Sequence, residues 1–154
     1  MAYQKARSGY ETSVLGAYFT PHETAENLVK ALEIFIRLLH KKRIIDFTVE
    51  DLYLNPKVLI LDPTCGSGTF LLAFISRAYK LYKNSIRPFD LVERLLQKVY
   101  GFDVDPLAVL MARAQIYIQV LRILSMKSIE RIKRTNVLWC DTLKLANYVM
   151  QKSQ

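Results

Sequence analysis

Three aspartates stand where a short apolar run gives way to a turn. Asp62 follows Lys57-Val58-Leu59-Ile60-Leu61, Asp103 follows Val99-Tyr100-Gly101-Phe102, and Asp141 follows Asn136-Val137-Leu138-Trp139-Cys140. Between Asp62 and the next helical stretch lies Pro63-Thr64-Cys65-Gly66-Ser67-Gly68-Thr69, whose Gly66 and Gly68 permit a tight turn and close approach of a ligand to the backbone. No lysine follows as a phosphate-cradling G-x-x-x-x-G-K-[ST] loop requires, and the dinucleotide pattern G-x-G-x-x-G fails at Leu71. A carboxylate at the head of the loop repels a pyrophosphate and suits an ammonium group instead. A carboxylate at the position of Asp103 can accept from both hydroxyls of a ribose. Asp141 can accept from an exocyclic amine such as that of adenine. Each acid also has a plainer use as a helix cap or turn residue, and Asp105, with Pro106 behind it, reads mainly as a cap.

The elements that must position these acids alternate. A long helix is expected from Pro21 to about Lys42, with Thr20 as its cap and Leu28, Val29, Leu32, Phe35, Ile36 and Leu39 on one face. Strands are expected at 57–61, 99–104 and 136–140. The helix after Gly68 buries Leu71, Phe74, Ile75, Ala78 and Tyr82, and Pro88 opens another that runs to about Lys98. A further helix from Pro106 has the apolar set Leu107, Leu110, Met111, Ala114, Tyr117, Ile118 and Leu121. Strands alternating with helices predict parallel pairing, the first half of a doubly wound sheet, with ligands at the strand C-terminal ends. All three acids then share one edge. Together they describe a ligand with an ammonium, a ribose diol and an amino-purine but no phosphate, a set that S-adenosylmethionine possesses.

The bulk properties agree with a globular α/β domain. The chain has 154 residues, 51% of them hydrophobic and 23% charged, which excludes a disordered chain. No run of about 18 apolar residues is expected to span a membrane, and the N-terminus lacks a secretory pattern, so a cytoplasmic location without membrane contact is expected. Cys65 and Cys140 lack metal-type spacing, so no metal is expected. The net charge of +8 fits a phosphate-bearing partner. Its two densest clusters, Lys41-Lys42-Arg43 and Arg131 with Lys133-Arg134, are expected away from the strand C-terminal edge.

Four strings in order carry a resemblance. GAYFTP (16–21), LDPTCGSGTFLLAF (61–74), YGFDVDPLAVLMARAQI (100–116) and NVLWCDTL (136–143) resemble the cofactor motifs of adenine-N6 DNA methyltransferases of restriction-modification type. The resemblance covers roughly residues 15 to 145. It implies a Rossmann-like S-adenosylmethionine-dependent methyltransferase fold, with residues 1–20 an arm bearing the first motif and 21–154 part of the cofactor-binding domain. It also implies that Tyr18, Phe19 and Thr20 line the methionine end of the cofactor. Asp62 would meet the ammonium, with Cys65, Gly66 and Gly68 shaping the loop. Asp103 would bind the ribose, Val104 would pack on the adenine, and Asp141 would accept from its amine.

One departure bears on activity. The family's [NDS]-P-P-[YFW] tetrapeptide, which holds the flipped adenine, does not occur; Asn55-Pro56-Lys57 precedes the first strand and lacks the second proline and the aromatic. The chain is therefore expected to bind cofactor but to lack chemistry alone, with no catalytic residue of its own and with DNA contacted through another half. The open edge of the strand from Val58 to Leu61 is expected to pair with a complementary half or a second copy. Two other readings stay open, an RNA guanine-methylating relative and a non-enzymatic remnant. GAYFTP argues against the former.

Overall fold

The computed structural model describes residues 20–124, 132 and 134–152. The elements run α1 (His22–Lys41), α2 (Val49–Leu54), β1 (Ile60–Asp62), α3 (Thr69–Tyr82), α4 (Pro88–Lys98), β2 (Val99–Asp103), α5 (Pro106–Ile123), β3 (Asn136–Trp139) and α6 (Thr142–Lys152). The three strands form one parallel sheet in the order β1-β2-β3, with Ile60 opposite Val99 and Asp103 opposite Trp139. This is an α/β fold, an open parallel sheet flanked by helices, and it has the arrangement expected of half a doubly wound sheet.

β1 is shorter than its apolar run. Asn55 explains this: its side-chain Oδ1 accepts from Lys57 N at 3.0 Å and its carbonyl from Val58 N at 3.2 Å. That turn uses the backbone groups that pairing would need, so the ladder starts at Ile60. β2 and β3 each end one residue short of the expected 104 and 140, and after β2 Asp103 turns the chain by accepting from Asp105 N at 2.9 Å.

Side chains alternate across the sheet. Val99 and Val137 are buried on the face covered by helices, with Gly101 between them, while Leu61 and Leu138 are exposed on the other face. α1 packs on α3, and α3 on α4 and α5, so the core lies between those helices and one side of the sheet. Among the described residues the opposite side is uncovered, and α6 buries none of its residues.

Two helices bury a different face from the one their periodicity suggests. In α1 the inward residues are Ala25, Val29, Glu33 and Ile36, whereas Leu28, Leu32 and Phe35 are exposed. Small Ala25 and a paired glutamate make the inward stripe: Glu33, 2% exposed, receives Arg77 Nε and Nη2 at 2.7 and 2.8 Å and the Tyr53 hydroxyl at 2.8 Å. In α5 the inward residues are Ala108, Val109, Ala112, Ile116 and Val120, while Leu107, Leu110, Ala114, Ile118 and Leu121 are exposed and Met111 and Tyr117 half-buried. The cause is proximity. A Cβ on Gly68 would lie 3.1 Å from the Ala112 Cβ, and only a small-residue face admits so close a loop. Apolar on both sides, α5 is an 18-residue helix long and apolar enough to cross a membrane by length and composition, contrary to expectation, although one side packs within this core.

The ends of the helices are fixed individually. Pro21, not Thr20, is the N-cap of α1, and no side chain caps it. At its other end Arg43 takes φ 55°, and the bonds Arg43 N to His40 O and Ile44 N to Leu39 O close a Schellman turn. α2 has a capping box of Thr48 and Asp51 at its start. At its end the buried Lys98 ammonium donates to Leu52 O at 2.8 Å and Asn55 O at 3.0 Å. Burial pulls that ammonium's pKa below its ordinary value, with the nearby Asp51 opposing the shift.

Candidate functional site

The loop from Asp62 to Gly68 closes onto β2 rather than lying free. Cys65 N donates to Phe102 O at 2.8 Å, Gly68 N to Cys65 O at 2.8 Å, and Gly66 N to Asp103 Oδ2 at 2.8 Å. Gly66 and Gly68 take φ of 52° and 86°, the left-handed region in which glycine carries no steric cost. Gly68 then caps α3, and Gln115 of α5 donates to Ser67 O at 2.9 Å. The loop is therefore held from β2 on one side and from α5 on the other.

Both oxygens of Asp103 are engaged, Oδ2 by Gly66 N and Oδ1 by Asp105 N. Asp62 is half-buried, and among the described residues it accepts only Thr64 N, at 3.2 Å. Burial raises its pKa, Thr64 N partly offsets this, and the Asp103 carboxylate raises it further. Burial together with Asp62 and Asp103 pushes the Cys65 thiol up to about 12, so Cys65 is a packed neutral thiol and not a nucleophile. Among the described residues no lysine or arginine pairs with either acid. Two neighbouring carboxylates without a counter-ion form a setting that an incoming cation relieves.

The third strand end joins the same edge. Cys140 N donates to Asp103 O at 2.9 Å, and Thr142 Oγ1 donates to Pro63 O at 2.7 Å, drawing the β3 turn onto the Asp62 loop. Asp141 Oδ1 accepts Lys144 N at 3.1 Å as the cap of α6, which lowers its pKa. Val104 is exposed beyond β2, and its carbonyl accepts the Trp139 indole Nε1 at 2.9 Å. Asp62, Cys65, Gly66, Gly68, Asp103, Val104 and Asp141 thus gather at one edge of the sheet. Thr20 is half-exposed before α1, and among the described residues no hydrogen bond joins it to the loop. Tyr18 and Phe19 lie outside the described residues.

Three supporting residues were not singled out by spacing. Gly101 is one: a Cβ there would lie 2.7 Å from Leu71 Cδ1 and 3.0 Å from Cys65 Sγ. A glycine inside an apolar strand signals such close approach. Thr142 and Gln115 carry no comparable signal, since each acts on a carbonyl brought near only by the fold. The cavity of about 500 Å³ between α4 and the starts of β2 and β3, lined by Phe89, Glu93, Tyr100 and Arg134, contains none of the strand-end acids.

No protein-family model matches the chain. It is 26% identical over 152 residues to a protein of Methanocaldococcus jannaschii named as a type II restriction enzyme and methyltransferase, covering 76% of this chain and 13% of the relative. It is 25% identical over 137 residues to the adenine-specific methyltransferase PglX of Streptomyces coelicolor, covering 82% of this chain and 11% of the relative. The chain thus spans roughly a tenth of the length of these relatives. Its fold matches the Type ISP restriction-modification enzyme LlaGI, solved with a DNA substrate mimic, at a TM-score of 0.59 and 19% identity over 83% of this chain and 10% of that one. The ATP-dependent Type ISP enzyme LlaBIII, solved bound to DNA, matches at 0.57 and 19% identity over 82% of this chain and 8% of that one. In sequence and in fold alike, the chain resembles a restriction-modification methyltransferase.

Proposed function

We propose that the chain is the S-adenosylmethionine-binding part of a DNA adenine-N6 methyltransferase of restriction-modification type and does not transfer methyl groups by itself. The observation that carries this reading is the pair Asp62 and Asp103. Two carboxylates at adjacent strand ends, the first half-buried and without a cation among the described residues, fit a ligand that brings an ammonium and a ribose diol together. The donor set fits the cofactor at three points: Asp62 for the ammonium, Asp103 for the ribose, and Asp141 with Val104 for the adenine. Gly66 and Gly68 give the loop its tight turn beside the methionine portion, Gly68 packing on Ala112. Tyr18, Phe19 and Thr20 are assigned to that end in this reading through the resemblance of GAYFTP.

When bound, S-adenosylmethionine supplies an electrophilic methyl group. This chain's residues position and orient it; holding a flipped adenine opposite falls to the tetrapeptide that the sequence lacks. The uncovered sheet face and the free edge of β1, with Leu59 and Leu61 exposed, take a complementary methyltransferase half or a second copy. DNA is contacted through that other half, and the assembly is cytoplasmic.

Calorimetry with S-adenosylmethionine tests the binding claim, and absence of saturable heat would refute it. Incubation of the chain with DNA and methyl-labelled cofactor is expected to give no labelled DNA; methylated adenine would refute the claim of inactivity. A monodisperse monomer in sedimentation at tens of micromolar protein would count against self-association.

A further inference from the structure

We infer that Trp139 forms a wall of the purine subsite, an aromatic platform held in place by Val104. The inference rests on the cofactor reading above and extends it to a residue outside the acid pattern. Trp139 closes β3 directly opposite Asp103 in the parallel register. Its side chain is 69% exposed, yet its indole Nε1 donates to Val104 O at 2.9 Å. The ring is thus tethered across the end of β2 while a broad face stays open.

Position separates this indole from the uncovered apolar sheet face. Alternation along β3 puts Trp139 on the same side as buried Val137, and Leu138 on the other with Leu61. An occupant of the uncovered face would therefore cover Leu138 and leave Trp139 at the acid-bearing edge. There it is the register partner of Asp103, suited to a ribose, and precedes Asp141 by two residues in the chain. A tethered indole can stack on a base with little loss of side-chain freedom, and stacking accepts any flat purine face. Its hydrogen bond fixes where that face lies relative to Asp103.

Trp139 is the single tryptophan of the chain, so its emission reports on this position alone. The full chain is titrated with S-adenosylmethionine, with 5′-methylthioadenosine and with methionine, following fluorescence and heat in parallel. The first two are expected to change the emission with the same midpoint as the heat, and methionine to leave it unchanged. Trp139→Ala is expected to weaken S-adenosylmethionine binding about tenfold, and Trp139→Phe, which keeps a stacking face but loses the tether, by about two- to threefold. Saturable heat with unchanged emission, or unchanged affinity in both variants, overturns the role of Trp139 while leaving the cofactor reading intact. Absence of heat from both S-adenosylmethionine and 5′-methylthioadenosine overturns both.

Discussion

Asp103 accepts the backbone N–H of Gly66 at 2.8 Å, so the carboxylate that ends β2 also clasps the loop that follows β1. Its other oxygen holds Asp105 N, which starts the turn into α5. One side chain therefore sets the geometry of both loops. This is preorganisation by a charged acceptor, whose hydrogen bonds are the stronger kind.

Replacing Asp103 removes both clasps at once. Hydrogen bonds to a charged group contribute about 1.5–3 kcal/mol each, and a domain of this size loses about 2–4 °C per kcal/mol. Asp103→Ala is expected to lower the melting temperature by several degrees and S-adenosylmethionine affinity by at least about tenfold, the loss of roughly one such bond. Circular dichroism and calorimetry read the two effects separately. A destabilised variant with unchanged affinity would sink the ribose assignment.

Asp62 behaves in the opposite sense. Burial raises its pKa above the ordinary carboxylate value of 3.8, and the Asp103 charge adds to this, so its ionised form is disfavoured in the fold. The folded chain then binds that proton more tightly than the unfolded chain. Stability drawn from it is present at acid pH and is lost as pH rises through the raised pKa. Asp62→Asn is accordingly expected to raise the melting temperature at neutral pH, by about 2–4 °C per kcal/mol of relieved repulsion, while abolishing measurable cofactor binding. In the unaltered chain, affinity is expected to fall as the pH drops through the same raised pKa. Equal melting temperatures with binding retained would contradict both halves.

The acids and the glycine loop are legible in the sequence because a parallel strand and its following turn are local events. Asp62, Asp103 and Asp141 each sit where a short apolar run meets turn residues, and the sheet needs only to align those runs. The helix faces are not legible in the same way. α5 is apolar on two sides, and periodicity alone cannot say that the Ala108–Ala112 side packs inward. That choice is made by Gly68, 44 residues before Ala112, whose approach only small residues permit. Glu33 is hidden for a related reason: a glutamate inside an apolar stripe is tolerated only because Arg77 and Tyr53 arrive from elsewhere in the chain.

Gly101 tests how tightly the loop is held against β2. A methyl group there would meet Leu71 Cδ1 at 2.7 Å and Cys65 Sγ at 3.0 Å, so one of them must move. Gly101→Ala is expected to cost about 1–3 kcal/mol, the usual penalty of overpacking, and to weaken cofactor binding by displacing Cys65. Adding Leu71→Val removes the nearer obstacle. The double variant should then lose less stability in urea denaturation than the two single variants summed. Strict additivity would show that the strain is relieved elsewhere.

Glu33 and Arg77 supply a prediction about the scaffold rather than the site. Their bidentate pair, with Tyr53 as third partner, fixes α1 on α3 and α2, and α1 is the helix that follows the arm bearing Tyr18 and Phe19. The Arg77 hydrogen bonds pull the Glu33 pKa below its ordinary 4.5, against the opposing effect of burial, with further help from Tyr53. Stability from this group is therefore complete above about 4.5 and is lost as pH falls through the depressed value. Glu33→Gln strands the Arg77 charge. Breaking a buried pair costs about 3–5 kcal/mol, and the partial exposure of Arg77 places this case at or below the lower end. Denaturation profiles of the two chains should thus differ most at neutral pH and converge in acid. A gap that persists undiminished well below that range would mean that Glu33 contributes through shape and packing instead of charge.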